Sequence, residues 1–440
     1  METKMKRGRL LYIIEAAVEY LISILVAGQF LATLTNELGL SDSLTGILSS
    51  IISLGCMFQL ISMAFRRTTV KRFVVVMSIL NQLFFLFLYV VPVVPLPSTA
   101  KIVLFVVFIL TAYLIYNIAH PKKIAWLMGL VPDSRRGKFT AVKEIVSLIV
   151  GSTFSFSMGM VFDHFTEKGE TRTALIIGAI TIFVLMVWHT LTLLLTVEKK
   201  PEESDENALA AQKRVPLKES FLSLIKNKKM RKVIALFMFY NIAHYAVNPF
   251  LYTFQINDLG FSLTLVALLG VLGSVARIAV SWLWGLYADR TSFAAMMEKC
   301  IIIMGVAYLF VAAVTPYSHP IVSIVLVALY YIFHSIAMGG TNSALINLVF
   351  DYVPHETRAD SLAICQAIAG VVGFLSTLGF SAVLAVIQGN GLSIFGFQIY
   401  AQQLLAVVAI LLFVATALFI RFALLKKSKK QPLETTNTKE

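Results

Sequence analysis

The chain is a succession of apolar runs of about 20 residues, and this pattern constrains the fold more than any other feature. About 20 residues of α-helix are needed to cross roughly 30 Å of hydrocarbon, at about 1.5 Å rise per residue. Hydrophobic residues make up 58% of the chain and charged residues only 14%, whereas a soluble globular protein carries about 25% charged residues. The sequence therefore predicts an all-α membrane protein.

Twelve of the apolar runs are long enough to form transmembrane helices. The first run follows the basic N-terminus directly and lacks a small-residue cleavage site, so we interpret it as a retained helix rather than a signal peptide. The three cysteines are scattered along the chain and form neither a disulfide framework nor a metal-ligand spacing. The expected helices lie at 10–34, 44–64, 73–91, 102–130, 139–162, 173–197, 233–254, 263–287, 294–314, 321–350, 361–386 and 400–422.

Basic residues lie mostly on one side of the expected membrane. If the N-terminus is cytoplasmic, 29 Lys and Arg residues fall on the cytoplasmic side and 3 on the other. The positive-inside rule then places both termini in the cytoplasm, and we expect a multi-pass plasma-membrane protein. This asymmetry also accounts for the net charge of +13 without a nucleic-acid partner. The long polar segment 198–232 contains PLKESFLSLIKNKKM, which predicts an amphipathic surface helix.

The sequence repeats itself at an offset of half its length. NELGLS begins at Asn36 and NDLGFS at Asn257, while VPDSRRG begins at Val131 and VPHETRA at Val353, so the offsets are 221 and 222 residues. This predicts a duplicated six-helix unit, with twelve transmembrane helices in two pseudo-symmetric six-helix bundles. The expected parts are an N-terminal bundle at 1–197, a central cytoplasmic loop at 198–232, a C-terminal bundle at 233–425 and a basic cytoplasmic tail at 426–440.

A twelve-helix chain with this duplication resembles the major facilitator superfamily. The resemblance is carried by LGLS after the first helix, by VP…R after the fourth and tenth helices, and by G-x-x-x-D-R (Gly285, Asp289 and Arg290) after the eighth. The first copy of that loop, SMAFRR at 62–67, has no acidic residue. The resemblance implies a central cavity between the bundles, and a gating latch at Asp289 and Arg290 in the second half only.

The first and fourth expected helices carry opposite charges at matching depths. Glu15 and Glu19 share one face of the first helix, and Lys123 lies at a similar depth, about 10–13 Å from the cytoplasmic end at ~1.5 Å per residue. Because an unpaired charge there costs at least ~2.5 kcal/mol, we predict a pair between Lys123 and Glu19 or Glu15. His120 lies on nearly the same face as Lys123 and joins the expected site. Glu15 and Lys122 are nevertheless expected to extend to the cytoplasmic interface.

Polar residues recur at one level on the first, fourth, seventh and tenth helices, and the eighth helix carries Arg277. A single buried histidine is more often an interhelical hydrogen-bond partner, but recurrence at equivalent positions favours a solute site. Arg277 has no acidic partner nearby in the sequence, so we expect it either to bind an anionic group of the solute or to pair across the cavity. The candidates on these helices are Asn241, His244, Arg277, His334 and Asn342.

Three polar residues are left out of the expected site. His189 lies on the sixth helix, which is peripheral in the resembled fold, and we interpret it as structural. Lys143 and Glu144 open the fifth helix and are expected at the membrane interface.

These features predict a secondary transporter that moves a small solute by alternating access, with Glu19 as the main proton-coupling carboxylate. No phosphate-binding loop of the G-x-x-x-x-G-K-[ST] type occurs, so we expect no ATP hydrolysis. We also expect no enzymatic activity, no cofactor and no metal site. The expected partners are a small solute, a proton and the lipid bilayer, and the chain is expected to be a monomer. The alternatives are a transporter-like solute sensor and an exporter of amphipathic compounds.

The charge count predicts that a cysteine introduced at Ser204 is shielded from a membrane-impermeant thiol reagent added to intact cells. A cysteine at Ser318, between the ninth and tenth helices, should react under the same conditions. The native cysteines are replaced first, so that only the introduced thiol is detected. Labelling at Ser204 without labelling at Ser318 would reverse the predicted orientation.

Overall fold

The structure is a computed structural model that describes residues 2–59, 70–132, 136–198, 217–353, 358–394 and 396–425. The first half contains α1 (Glu2–Leu25), α2 (Gly28–Glu37), α3 (Asp42–Gly55), α4 (Val70–Val93), α5 (Ser98–Met128), α6 (Arg136–Glu167) and α7 (Thr171–Leu195). After them come α8 (Leu217–Lys226), α9 (Lys228–His244), α10 (Leu251–Thr253), α11 (Leu263–Arg290), α12 (Phe293–Ala313), α13 (Pro320–Phe350), α14 (Arg358–Asn390) and α15 (Ala401–Phe419). The other elements are a 3₁₀ turn at Asn248–Phe250, π-helical turns at Phe254–Asp258 and Ile420–Leu425, and a hairpin of β1 (Ser393–Ile394) and β2 (Phe397–Gln398).

The all-helical membrane architecture is confirmed. In the described ranges, 11 helical segments are long and apolar enough to cross a membrane. The remaining predicted helix, 44–64, begins as α3, but its last residues lie outside the described part, as do the SMAFRR loop and the tail at 426–440. Large apolar side chains such as Trp282, which is 71% exposed, cover the outer surface. The predicted amphipathic segment of the central loop forms α8.

The first and seventh transmembrane segments are each interrupted at equivalent places. The first breaks between Leu25 and Gly28, and the seventh ends its regular helix at His244 and resumes with the 3₁₀ turn at Asn248. Gly28 has a left-handed backbone, with φ of 57°, a conformation that glycine adopts without strain. The hydroxyl of Tyr89 donates to the freed carbonyl of Leu25 at 2.6 Å. The breaks were not predicted, because each expected helix was read as one continuous apolar run.

The two copies of the repeat adopt the same local geometry. Gly39 and Gly260 both have left-handed backbones, with φ of 69° and 65°. Two residues later, Ser41 and Ser262 each cap the next helix by accepting a bond from the backbone N–H three residues on. We call the side of the molecule that carries these turns the repeat-loop face, and the opposite side, where α1 begins, the terminal face.

The two halves are bonded to each other at the repeat-loop face. Asn36 and Asn257, which are 221 residues apart, exchange reciprocal amide hydrogen bonds of 2.6 and 3.2 Å. The Asp42 carboxylate accepts from Asn257 at 2.6 Å and from Gln388 at 2.8 Å. Bonds between residues at equivalent positions place a pseudo-twofold axis through this contact, so the repeat that the sequence predicts also forms the closure between the halves.

A carboxylate of the first half caps a helix of the second half. Both oxygens of Asp163, near the end of α6, accept from the backbone N–H groups of Leu263 and Thr264 at 2.9 and 2.8 Å. These donors open α11, where the helix dipole also favours a negative charge. Apart from these bonds, the halves pack through α6 against α11 and α3 against α14, and each half has its own apolar core. The structure is therefore closed at the repeat-loop face.

Replacing Asp163 with Ala should favour opening of the repeat-loop face. The lost cap and charge–dipole interaction are worth about 1–2 kcal/mol together, which corresponds to a shift of roughly 5- to 30-fold in the open-to-closed ratio. The measurement is the distance distribution between spin labels at Lys168 and Thr315, on opposite halves of that face. The control is Asp351→Ala at the terminal face, which should leave the distribution unchanged. An identical distribution for Asp163→Ala would contradict the role of this contact.

Candidate solute site and buried ion-pair cluster

The predicted pairing of Lys123 is confirmed, and it involves both carboxylates. The Lys123 ammonium lies 3.0 Å from an oxygen of Glu15 and also forms an ion pair with Glu19. The side chains of Lys123 and Glu15 are 3% and 1% exposed, whereas that of Glu19 is 24% exposed. Helices α1 and α5 thus hold a buried cation between two carboxylates spaced one helical turn apart, and only Glu19 is open to solvent.

A histidine and a glutamine extend this ion-pair cluster. Nε2 of His189 lies 3.0 Å from the same oxygen of Glu15, and the Gln82 amide nitrogen lies 2.8 Å from His189 Nδ1. Because the amide donates to Nδ1, the other ring nitrogen carries the hydrogen that is donated to Glu15. Glu15, Glu19 and His189 also bring three ligand atoms within 4.8 Å of one another, but the Lys123 ammonium lies against both carboxylates and would repel a metal ion.

One expectation about this region is wrong. Glu15 does not extend to the interface, because it is held between Lys123 and His189 and is fully buried. His189 is buried and contacts Glu15, so its sixth-helix position does not exclude it from the cluster. Lys122, one position from Lys123, instead lies with its ammonium 4.6 Å from the centroid of the Phe73 ring.

A cavity of about 400 Å³, which we call cavity A, lies between the two halves. Both interrupted segments contribute to it, and so do α6, α11 and α13. Its polar and aromatic lining includes Tyr20, Gln29, Ser152, Ser155, Asn248, Tyr252, Ser274, Arg277, Tyr331 and His334. Arg277 and His334 were predicted site residues. Gln29, Asn248 and the tyrosines were not, and a polar residue beside a glycine or proline within an apolar run is the signal that could have identified the first two.

Arg277 pairs across the cavity rather than facing it unpaired. Its Nη2 donates to Glu144 of the other half at 2.7 Å. All lining residues on α6 and α11 lie on the repeat-loop side of this pair, so the pair forms the floor of cavity A toward the terminal face. Arg277 was expected either to bind an anionic solute group or to pair across the cavity, and in the structure it pairs across the cavity. Glu144 was not predicted as its partner, because it lies on the facing half and far away in the sequence.

A second cavity of about 610 Å³, which we call cavity B, lies between the halves toward the terminal face. Predicted site residues His120, Asn241 and Asn342 line it. Asn241 also donates to the carbonyl of Phe237 in its own helix at 2.8 Å. His120 additionally lines the small cleft that holds Glu19 and Lys123. The predicted residues are therefore divided between two cavities and the ion-pair cluster.

A column of stacked rings separates cavity A from cavity B. The ring of His244 stacks on Tyr240 and on His334, with centroid distances of 5.5 and 5.8 Å, and His334 stacks on Tyr330 at 5.0 Å. Tyr240 lines cavity B, whereas His334 and Tyr330 line cavity A. Nδ1 of His244 and Nε2 of His334 are buried and have no hydrogen-bond partner in the described part of the chain. Each of the two histidines therefore has one ring nitrogen without a hydrogen bond between cavity A and cavity B.

The predicted gating residues lie at the end of α11. Asp289 and Arg290 are both exposed there, and neither forms an ion pair with another described residue. The structure is closed at the opposite face, so a latch at the terminal face is not engaged in this conformation and stays a prediction.

Comparison with known proteins identifies the family. The sequence model of the Major Facilitator Superfamily matches residues 11–377. The chain belongs to the major facilitator superfamily. No curated protein matches the sequence. Its fold is nevertheless that of solved transporters, with TM-scores of 0.72 to a mutant of the nucleoside transporter NupG (14% identity, covering 94% of this chain and 99% of that one), 0.68 to the POT family transporter PepTSo (13%; 97% and 99%) and 0.65 to a D-xylose-proton symporter (14%; 95% and 96%).

At these identities the structural likeness shows the fold alone, which is the two six-helix bundles of this superfamily. Membership makes the chain a multi-pass membrane protein and a secondary transporter, with a small-molecule substrate and a lipid environment. The superfamily is non-enzymatic, in agreement with the sequence-based expectation.

Replacing Lys123 with Ala should destabilise the protein strongly, because two carboxylates lose their cation inside the bundle. Breaking a buried pair on one side costs about 3–5 kcal/mol. Thermal unfolding of the purified protein measures the loss, and Lys123→Ala combined with Glu15→Gln should recover part of it. The matched control is Lys122→Ala, which removes a cation–π contact worth about 1–2 kcal/mol at most. Equal effects of the two single changes would contradict the cluster's role.

Proposed function

We propose that this superfamily member is a proton-coupled transporter of a small solute that works by alternating access. The single observation that carries the proposal is the composition of the buried ion-pair cluster, which holds two carboxylates against one lysine. We further propose that it acts as a monomer in the plasma membrane, with both termini in the cytoplasm.

The net charge of the cluster favours binding of one proton. With Glu15 and Glu19 ionised, Lys123 charged and His189 neutral, the cluster carries one net negative charge. An uncompensated charge in a medium of low polarity is unfavourable. One added proton restores neutrality, and this argument holds whether or not solute is present.

Glu19 is the member of the cluster that is best placed to accept the proton. It is 24% exposed, whereas Glu15 and Lys123 are almost fully buried. His120 lines both the cleft that contains Glu19 and cavity B, which supports a route for protons from cavity B to Glu19. Protonation of Glu19 leaves Lys123 paired with Glu15 alone and frees Glu19 to move.

The two cavities suggest how the transport cycle is arranged. In this conformation the repeat-loop face is closed by bonds between the halves, and cavity B lies toward the terminal face. We assign the solute to cavity A, and we assign His120, Asn241 and Asn342 to the passage formed by cavity B. The ring column at His244 and His334 then separates binding site from passage. In the opposite conformation, the repeat-loop bonds open, and Asp289 and Arg290 close the terminal face.

Two solved transporters of the same fold are consistent with this proposal. One is named as a D-xylose-proton symporter, so this fold supports coupling of a solute to protons. The other is named as a nucleoside transporter. Both names describe small solutes of a size that cavity A accommodates.

Replacing Glu19 with Gln should uncouple transport from protons. The amide mimics the protonated carboxyl, so solute binding and exchange across the membrane should persist, while accumulation driven by a pH gradient should be lost. The measurement uses proteoliposomes and a radiolabelled solute identified by a thermal-shift screen of the purified protein. Glu37→Gln, an exposed carboxylate at the repeat-loop face, is the control and should accumulate solute normally. Continued gradient-driven accumulation by Glu19→Gln would remove Glu19 from the coupling role.

A further inference from the structure

The charge of cavity A is already neutralised by the protein. Arg277 is the one charged side chain among its lining residues in the described part of the chain, and Glu144 pairs with it at 2.7 Å. A charged solute would enter a site of low polarity without a free counter-ion, or would have to displace one member of this pair. Burying an unpaired charge and breaking the Arg277–Glu144 pair each cost a few kcal/mol. The electrostatics of the cavity therefore favour a solute without net charge.

Uncharged polar groups remain available in the same cavity. The Asn248 amide makes no side-chain hydrogen bond within the described ranges, and Nε2 of His334 is buried without a partner. The Gln29 amide reaches Ser155 only at 3.5 Å, the limit of a hydrogen bond. Polar groups left in this state at a cavity wall bind water, or a ligand that offers donors and acceptors of its own. Hydroxyl and amide groups do so without adding charge.

Two tyrosine rings, one from each half, are fixed at the wall of cavity A by glycines. Gly151 of α6 gives the ring of Tyr20 room to lie against its backbone, and a Cβ at Gly28 would lie 3.1 Å from the Tyr252 ring. Both rings line the cavity. Aromatic faces held in this way bind the flat or apolar faces of ring compounds. The cavity volume of about 400 Å³ corresponds to roughly a dozen water molecules at about 30 Å³ each.

From these observations we infer that the solute is an uncharged ring compound that carries several hydroxyl or amide groups, in the size range from a monosaccharide to a nucleoside. Gln29 and Asn248 are its specificity-determining hydrogen-bond partners, and Tyr20 and Tyr252 contact its ring. The inference rests on the proposal that cavity A is the solute site. It does not depend on proton coupling.

The test measures equilibrium binding to purified protein, without a pH gradient, for matched probes that differ in charge. The pairs are uridine with uridine 5′-monophosphate, and glucose with glucuronate and glucosamine. At least one neutral probe should bind, and its charged counterparts should bind at least about 10-fold more weakly. Tighter binding of a charged probe, or binding of no neutral probe, would overturn the inferred class.

Variants locate the binding in cavity A. Gln29→Ala and Asn248→Ala should each weaken binding of the neutral probe about 5-fold, the equivalent of one hydrogen bond. Gln366→Ala, which truncates an amide in cavity B, is the matched control and should bind the probe as the native protein does. If Gln366→Ala lost affinity while the other two did not, the site would lie in cavity B. Because Glu19→Gln should bind normally here, failure of the inferred class and failure of proton coupling give different results.

Gly28→Ala provides an independent readout of the ring contact. A side chain there is strained by the positive φ and would displace the Tyr252 ring. Gly39→Ala, at a positive φ with open space around it, carries the same backbone strain without a ring to displace. A larger loss of probe affinity in Gly28→Ala than in Gly39→Ala supports the contact, and equal affinities would contradict it.

Discussion

Hydrocarbon offers no water to an ionised side chain, and the rest of this structure depends on how that constraint is met. Lys123 is held between Glu15 and Glu19, and Arg277 is held by Glu144. The two groups of charged residues differ in net charge. The Arg277 pair is neutral, which suits the wall of a cavity for an uncharged solute. The Lys123 cluster has one carboxylate in excess, and this excess is the basis of the proposed proton binding.

Because the sequence is duplicated, equivalent residues of the two halves form both the closed repeat-loop face and part of the lining of cavity A. The reciprocal bonds of Asn36 with Asn257 join equivalent residues at the repeat-loop face. Below them, the interruptions at Gly28 and Asn248 open equivalent segments onto cavity A. Irregular backbone at membrane depth is tolerated where it lines a cavity or finds partners, as the bond from Tyr89 to Leu25 illustrates. Each half thus contributes one turn to the closure and one interrupted segment to the lining of cavity A.

Features that depend on the pattern of apolar residues, or on the depth of a residue within its helix, could be predicted from the sequence. Features that depend on which way a helix faces, or on contacts between distant helices, could not. The all-helical membrane architecture, the repeated turns and the Lys123 pairing followed from run lengths, offsets and matched depths. His189 was left out because a single chain does not reveal which way a peripheral helix faces. The pairing of Glu144 with Arg277 was missed because the two residues lie on different halves. The interruption at Gly28 was missed because one glycine in an apolar run leaves the average hydrophobicity unchanged.

The central claim is that the cluster around Lys123 binds one proton at Glu19. Infrared difference spectroscopy of the purified protein between alkaline and acidic buffer measures this directly, because a protonated carboxyl group has its own carbonyl stretching band. The exposed carboxylates also contribute such bands, so the test compares variants: one band of the native protein should be retained in Glu37→Gln and absent in Glu19→Gln. Persistence of every native band unchanged in Glu19→Gln would contradict the claim.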